Sequence, residues 1–310
     1  MAFLFYLLTA TTVLTLSINA FVFLGSALGI PALTFYARSL ASIIAMLLAA
    51  GYGVFASAAL SLFGKGGMGQ WTTGRAFKWL MLLFTGVWFD VQDPEEYLSK
   101  TRPAVFVGNH QTELDVLMLG HIFPRWCSVT AKKSLSKVPV LGWFMLLSKT
   151  VFIERKSREQ ALQAFDNAAK QMREERQSVF IFPEGTRSYY DKPDMLAFKK
   201  GAFHLAVQAQ VPIVPVVVAN YSEVMDFKRK LFVPGSVPVR VLKPIPTKGK
   251  TKEDVDDLLK EVREVMLAAL VEITEVARRE GVAKKQQDVG NGKAVTPGSN
   301  FAGKAMNAAA

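Results

Sequence analysis

The amino-terminal part of the chain is apolar and almost without charge. Residues 1–37 contain no Asp, Glu, Lys, Arg or His, and the stretch Ser39–Phe63, which follows Arg38, is again uncharged. A helix rises about 1.5 Å per residue and the hydrocarbon core of a bilayer is about 30 Å thick, so each stretch is long enough for a membrane helix. Pro31 predicts a break between them, because proline disfavours helical geometry in the residue before it.

We therefore predict two hydrophobic membrane helices over residues 1–64, which either span the bilayer or enter it as a re-entrant hairpin. A cleaved signal peptide is the alternative, but it would begin with basic residues and have a shorter apolar run. Lys65, Arg75 and Lys78 follow the second helix. The positive-inside tendency then predicts that the remainder of the chain lies on the cytoplasmic side.

After residue 64, short apolar runs alternate with helical patterns, which predicts an α/β fold with a mainly parallel sheet flanked by helices. A helix over Arg158–Arg176 begins at the N-cap Ser157, and another follows Thr251 and stops at Gly281. We assign this domain to residues 65–281. Residues 282–310 have few apolar side chains to bury, so they are predicted to form a disordered tail. The predicted strands are Ala104–Val107, Cys127–Thr130, Thr150–Ile153, Val179–Phe182, Ile213–Val218 and Val239–Leu242.

One more apolar segment, Val138–Leu147, is too short to span a bilayer. The lysines that flank it are Lys132, Lys133, Lys137 and Lys149. An aromatic, apolar segment between lysines is typical of a helix at the membrane interface, and a buried core helix is the alternative.

The formal net charge of the chain is +11. The chain lacks the aromatic and basic modules of nucleic-acid binders, so we expect no nucleic acid as partner. Anionic lipid headgroups or a phosphate-bearing substrate are the remaining explanations. The lone Cys127 excludes an internal disulfide, and the scattered histidines predict no metal site.

Three predicted strands run into polar loops. The first loop, Gly108–Asp115, reads GNHQTELD; the second is Glu154–Arg158; the third, Pro183–Ser188, reads PEGTRS. Because ligands of parallel sheets gather outside the carboxyl ends of the strands, we expect these loops to converge on one site.

The loops contain the residues of a proton-transfer site. His110 is suited to act as a general base at neutral pH, and Asp115 can fix its tautomer. The chain has no G-x-S-x-G elbow and Cys127 lies in a predicted strand, so the nucleophile is expected to be the hydroxyl group of the substrate. Arg155, Arg158 and Arg187 are suited to binding a phosphate.

Gly185 lets the backbone of its loop approach that anion. A carboxylate repels a phosphate, so Glu184 is expected to pair with an arginine instead.

Four blocks of the sequence resemble the motifs of the glycerolipid acyltransferases, in the same order. They are His110–Asp115 as H-x4-D, Phe152–Arg155, Phe182–Ser188 and Val211–Pro215. The resemblance covers residues 65–245, and within that family it is greatest to the lysophosphatidate acyltransferases. It implies transfer of a fatty acyl group from acyl-CoA to the sn-2 hydroxyl of lysophosphatidate, giving phosphatidate and CoA.

The resemblance also assigns roles to residues. It implies that His110 is the base and Asp115 its partner. It implies that the acceptor phosphate binds at Arg155, Glu184, Gly185, Thr186 and Arg187. Further candidate contacts to the substrate or to CoA are Asn109, Lys132, Lys133 and Arg158. Acyl-CoA is a co-substrate, and no cofactor is expected.

Three alternatives remain open from the residues. The first is an acyltransferase of the same fold with another acceptor, such as glycerol-3-phosphate or another lysophospholipid. A hydrolase would also use His and Asp, and a non-catalytic lipid-binding protein would explain the anchor and the charge. The expected location is the endoplasmic reticulum membrane, with a bacterial inner membrane as the alternative; the sequence leaves the oligomeric state and the acyl preference open.

Overall fold

A seven-stranded, largely parallel sheet forms the centre of the chain. The computed structural model describes residues 2–154 and 156–290. The strand order is β1-β9-β6-β2-β5-β3-β4, and only the β6–β9 pair is antiparallel. The strands are β1 Val87–Gln92, β2 Val105–Gly108, β3 Cys127–Lys132, β4 Val151–Ile153, β5 Ser178–Ile181, β6 Ile213–Val218 and β9 Gly235–Val241, with a small separate hairpin of β7 Met225–Asp226 and β8 Leu231–Phe232.

Two groups of helices cover this sheet. Every residue of β2, β5 and β6 is buried, which requires cover on both faces. One group packs around α3 and the other around α8. The helices are α1 Ala2–Ala27, α2 Pro31–Leu62, α3 Gly69–Thr85, α4 Tyr97–Lys100, α5 Asp115–Ile122, α6 Leu141–Leu147, α7 Arg158–Glu174, α8 Gly201–Ala209 and α9 Val255–Gly290.

The predicted α/β class is confirmed, and all six predicted strands are present with bounds that differ by a few residues. The N-cap of α7 is also as predicted, because Ser157 Oγ accepts from the backbone N–H of Gln160 at 3.3 Å. The sequence did not predict β1, which follows α3 after Gly86 alone. Gly86 ends that helix in the left-handed conformation, with φ +69°, and lets the chain turn directly into the strand.

The predicted end of α9 at Gly281 is wrong. The helix continues to Gly290, so the first residues assigned to a disordered tail are helical, while 291–310 lie outside the described residues. One glycine costs a helix only about 1 kcal/mol. The Ala, Lys and Gln residues after it are strong helix formers, and extending an existing helix adds one hydrogen bond per residue.

The two amino-terminal helices form as predicted, with Pro31 in the first turn of α2. By length and composition, α2 is apolar enough to cross a membrane. One face of α2 packs against the rest of the chain near both ends. Arg38 Nη1 donates to the carbonyl of Phe232 at 3.3 Å, and Gly53 allows close contact with α3 and α6. Helix α2 and the sheet domain are therefore packed together.

Candidate active site

Two of the three predicted loops meet at the carboxyl edge of the sheet. β2 and β5 are parallel neighbours, so the chain leaves both strands at the same edge. The backbone N–H of Ser188 donates to the carbonyl of His110 at 3.0 Å, and that of Tyr189 to Gln111 at 3.1 Å. The loop after β2 is thus hydrogen-bonded to the loop after β5, as the expected convergence requires.

The third loop is described only in part. Arg155 lies outside the described residues. Of Arg158 only the backbone is described, as the first residue of α7. The predicted contribution of these two arginines therefore stays a prediction.

His110 and Asp115 form the centre of the site. His110 Nδ1 lies 2.7 Å from Asp115 Oδ2. Asp115 is the first residue of α5 and its side chain is fully buried, whereas that of His110 is 16% exposed. The four residues between them fold back, so Asp115 Oδ2 also accepts from the backbone N–H groups of Gln111 at 2.6 Å and Thr112 at 3.2 Å. The carboxylate is therefore held independently of any substrate.

The imidazole ring is oriented by a second contact. It stacks on the ring of Phe182, with centroids 4.2 Å apart and an interplanar angle of 19°. Because the carboxylate of Asp115 is an acceptor, Nδ1 carries the proton and donates it, and Nε2 carries the lone pair. The arrangement presents one basic nitrogen at the sheet edge.

Tyr221, which the sequence did not predict, completes the network around Asp115. Its buried hydroxyl donates to Asp115 Oδ1 at 2.6 Å and accepts from the backbone N–H of Thr112 at 3.0 Å. Burial, and then the charge of Asp115, raise the pKa of this phenol well above its usual value. Tyr221 follows β6 at the same sheet edge. Its position just after a predicted strand was the one feature of the sequence that could have indicated a residue of the site.

The described contacts of Glu184 are with backbone groups rather than with the predicted arginine, and the candidate Arg155 lies outside the described residues. Its buried carboxyl accepts the backbone N–H of His110 at 2.7 Å on Oε1 and that of Leu196 at 2.8 Å on Oε2. The partners that the structure describes are thus two backbone N–H groups and not an arginine. Burial raises the pKa of Glu184 to about 7, although the two N–H groups act in the opposite direction. The residue links three segments of backbone around His110.

Arg187 lies in a more open cluster. Its Nη1 donates to Glu113 Oε1 at 3.0 Å, and the hydroxyl of Tyr189 donates to the same oxygen at 2.9 Å. Glu113 belongs to the H-x4-D loop and had no predicted role. The side chains of Arg187 and Glu113 are 38% and 44% exposed, so solvent reaches this cation.

The glycine of the same loop is required by the backbone. Gly185 has φ +72°, and a Cβ atom there would lie 3.0 Å from the side chain of Lys199. A side chain at this position would therefore strain the turn and displace the lysine. Thr186, the next residue, is exposed.

The remaining candidates make contacts with other parts of the chain. The amide of buried Asn109 is bonded to β6, donating to the carbonyl of Val218 at 3.0 Å and accepting from its N–H at 2.9 Å. It therefore joins two strand ends. Lys132 and Lys133 are exposed where β3 ends, and Lys133 Nζ donates to Gln160 Oε1 at 3.0 Å.

An open cavity of about 420 Å³ adjoins the buried side of the H-x4-D loop. Tyr221 lines it, so the network around Asp115 forms part of the cavity wall. Its other lining residues include Gln111, Thr112, Tyr189, Met225 and Phe227.

His121 lies near the other end of α5 from Asp115. It is buried against Trp88, with ring centroids 4.5 Å apart, and burial lowers its pKa to about 3. In the described ranges, no group of three or more His, Cys, Asp or Glu side chains is arranged to hold a metal ion.

Comparison with known proteins gives consistent matches. The family model described as Acyltransferase matches residues 77–219. An uncharacterized acyltransferase of Schizosaccharomyces pombe is 48% identical over 241 residues, which are 78% of this chain and 85% of that protein. The 1-acyl-sn-glycerol-3-phosphate acyltransferase of Saccharomyces cerevisiae is 44% identical over 239 residues, covering 77% of this chain and 78% of that protein.

A solved structure has the same fold. The crystal structure of the 1-acyl-sn-glycerophosphate acyltransferase of Thermotoga maritima matches with a TM-score of 0.61 and 24% sequence identity. The match covers 79% of this chain and 95% of that one.

Proposed function

The chain belongs to the family of the 1-acyl-sn-glycerol-3-phosphate acyltransferases, and from that premise we propose that it acylates lysophosphatidate. The acyl group comes from acyl-CoA and is transferred to the sn-2 hydroxyl, giving phosphatidate and CoA. The observation that carries this proposal is the pair formed by His110 and Asp115, which leaves one basic nitrogen at the sheet edge.

The reaction proceeds by direct transfer. His110 Nε2 takes the proton of the acceptor hydroxyl while the hydroxyl oxygen attacks the carbonyl carbon of the thioester. A C–O bond forms, the C–S bond breaks, and the imidazolium returns the proton to the leaving thiolate of CoA. The charge of Asp115 stabilises the imidazolium, and general-base catalysis of this kind contributes about 10²–10⁴-fold to the rate.

The acceptor phosphate is assigned to the loop that follows β5. Arg187 supplies a guanidinium reached by solvent, and the φ of Gly185 forms the turn that brings backbone N–H groups to an anion. Arg155 and Thr186 complete this assignment, with Glu184 holding the loop against His110. Lys132, Lys133 and Arg158 are assigned to the same edge, as contacts to phosphates of the substrate or of CoA.

The proposed location is a membrane, with α1 and α2 as the anchor. The acyl-CoA donor is soluble and cytosolic, so the catalytic domain is assigned to the cytoplasmic side, and the membrane to the endoplasmic reticulum. The membrane is then also the source of the lysophospholipid acceptor and the destination of the product.

The deciding experiment measures CoA release by the purified full chain in detergent. Acyl-CoA is supplied with lysophosphatidate, glycerol-3-phosphate, other lysophospholipids or no acceptor. We expect release that depends on lysophosphatidate and is lost in His110→Ala, with the melting temperature preserved. A preference for another acceptor would replace the substrate assignment, equal release without acceptor would indicate a hydrolase, and activity retained in His110→Ala would exclude the base.

A second test addresses the phosphate site. Arg155→Ala should raise the KM for lysophosphatidate more than the KM for acyl-CoA, because the residue is assigned to the acceptor phosphate. If neither KM changes, the phosphate is bound elsewhere at this edge, with Lys132 and Lys133 as the next candidates.

A further inference from the structure

The short helix α6 exposes apolar side chains where a helix on a protein surface normally exposes polar ones. All seven of its residues are apolar, in the sequence LGWFMLL. Gly142 and Met145 are buried against the protein, whereas Trp143 and Leu146 are 57% and 59% exposed. The exposed residues Trp143, Leu146 and Leu147 are spaced at i, i+3 and i+4, so they form one face of the helix. The alternative of a buried core helix is therefore wrong for this face.

Another side of α6 packs against α2. Phe144 of α6 packs onto α2 at Gly53, where a Cβ atom would come within 2.6 Å of its ring. Tyr52, Phe55 and Leu62 of α2 are exposed and share one side of that helix. Helix α6 is therefore held directly against a helix that is long and apolar enough to cross a membrane.

Lysines flank α6 along the chain. The segment Lys132–Lys149 contains four lysines and neither Asp nor Glu. Three of them, Lys132, Lys133 and Lys137, are exposed on the approach to α6. Lys149, which follows the helix, is paired with Glu175. Two copies of such a surface would repel each other, whereas anionic lipid headgroups would neutralise it.

We propose that α6 is a second membrane contact, which lies in the bilayer interface beside α2. Trp143, Leu146 and Leu147 enter the boundary between headgroups and acyl chains, where indole rings are favoured, and the lysines bind anionic headgroups. The inference goes beyond the proposed function, and its test requires no turnover.

A fluorescent label at a single cysteine tests this contact. Cys127 is fully buried and burial raises its pKa well above the usual value, so it should not react with a thiol-specific label. Leu146→Cys places an environment-sensitive label on α6. Leu162→Cys is the matched control, because Leu162 is similarly exposed, at 53%, on α7. Both labelled full-length chains are placed in liposomes of phosphatidylcholine and phosphatidylserine, with some lipids carrying a quencher near the headgroup end of the acyl chain.

The expected result is a blue-shifted emission and the loss of most of the fluorescence for Leu146→Cys, with neither change for Leu162→Cys. Replacing phosphatidylserine by phosphatidylcholine should reduce the quenching. Trp143→Cys provides a second position on the same face if Leu146→Cys melts at a lower temperature than the parent chain.

Three results would overturn the proposal. Labels on α6 that remain unquenched would mean that this face is in water. Equal quenching of Leu146→Cys and Leu162→Cys would mean that the lipid contact is not specific to α6. A blue shift that appears in detergent and grows with protein concentration would assign the surface to a second copy of the chain.

Discussion

The two halves of the proposed site are built in opposite ways. On one side, Asp115 is fully buried and receives hydrogen bonds from the ring of His110, two backbone N–H groups and Tyr221. On the other side, Arg187 is more than one-third exposed and shares one carboxylate oxygen with Tyr189. The base is therefore positioned before any substrate binds, whereas the anion site consists of contacts that a substrate can exchange.

The difference predicts how strongly each half responds to mutation. A buried, fully bonded network loses its function when one member is removed, because the remaining groups stay desolvated without partners. An exposed ion pair contributes about 0–1 kcal/mol. A substrate phosphate can therefore take the place of Glu113 as the partner of Arg187 with little loss of free energy. Substitutions in the two halves should accordingly fall into separate ranges.

Asp115→Asn should have the largest effect. It keeps the shape of the side chain but removes the charge that stabilises the imidazolium, and a comparable change in a His–Asp pair lowers kcat by about 10⁴-fold. Single-turnover CoA release should show this loss with little change in the KM values. A loss below about tenfold would mean that the charge of Asp115 is not used, and the proposed contrast between the halves would fail.

Glu184→Gln tests whether the carboxyl of Glu184, which contacts the loop of His110, is shielded from water as its burial indicates. Burial raises the pKa of Glu184 from 4.5 to about 7, which corresponds to about 3 kcal/mol. The unfolded chain loses the proton near pH 4.5 and the folded chain near pH 7, so this group makes the folded state less stable as the pH rises through that interval.

The measurement is the melting temperature of each chain between about pH 5 and about pH 8. The parent chain should lose more stability over this interval than Glu184→Gln, although the variant is less stable at acidic pH because an amide cannot accept both backbone N–H groups. Glu159→Gln, at an exposed position on α7, should have the slope of the parent. Equal slopes for all three chains would show that Glu184 ionises as it does in water.

Arg187→Ala should mainly weaken binding of the acceptor. Hydrogen bonds to charged groups contribute about 1.5–3 kcal/mol, so the KM for lysophosphatidate should rise by about 10–100-fold while the KM for acyl-CoA stays constant. Arg279→Ala removes an exposed arginine of α9 and should leave both values unchanged. A fall in kcat without a change in KM would place Arg187 with the buried half.

Tyr221→Phe should lower kcat by about fivefold, since a hydrogen bond contributes about 1 kcal/mol and Asp115 would keep three of its four donors. Both KM values should stay close to those of the parent. Tyr190→Phe, in the wall of the same cavity, is the control. A Tyr221→Phe variant with parental kcat would show that this hydroxyl stabilises the fold without positioning Asp115.

The sequence predicted the parts of the site that lie next to each other along the chain. His110 and Asp115 stand in one loop after an apolar strand, so their pairing required only that the loop fold back. Tyr221 is separated from Asp115 by 106 positions, and nothing local marks which of two distant loops it contacts. The partners of Glu184 are backbone N–H groups, which every loop contains, so residue type alone favoured an arginine.

The same reasoning applies to the fold. The strands β2, β5 and β6 are continuous apolar runs between turn residues, and these are visible without any tertiary information. In the hairpin of β7 and β8, each strand has two residues and forms by pairing with the other. Two residues are too few to show a strand pattern in the sequence. Local patterns therefore predicted six of the seven strands of the sheet, whereas the site is completed by tertiary contacts.

Glu113→Gln should have the smallest effect. It is the most direct test of whether a substrate phosphate replaces Glu113 as the partner of Arg187 in the exposed half of the site. The pair with Arg187 is exposed, so its loss should change stability by less than about 1 kcal/mol. Because the carboxylate competes with a phosphate for the same guanidinium, removing its charge should lower the KM for lysophosphatidate, by less than about fivefold, with kcat unchanged. A substantial rise in KM would mean instead that Glu113 holds Arg187 in its binding position, so that the open half is prepared in advance as the buried half is.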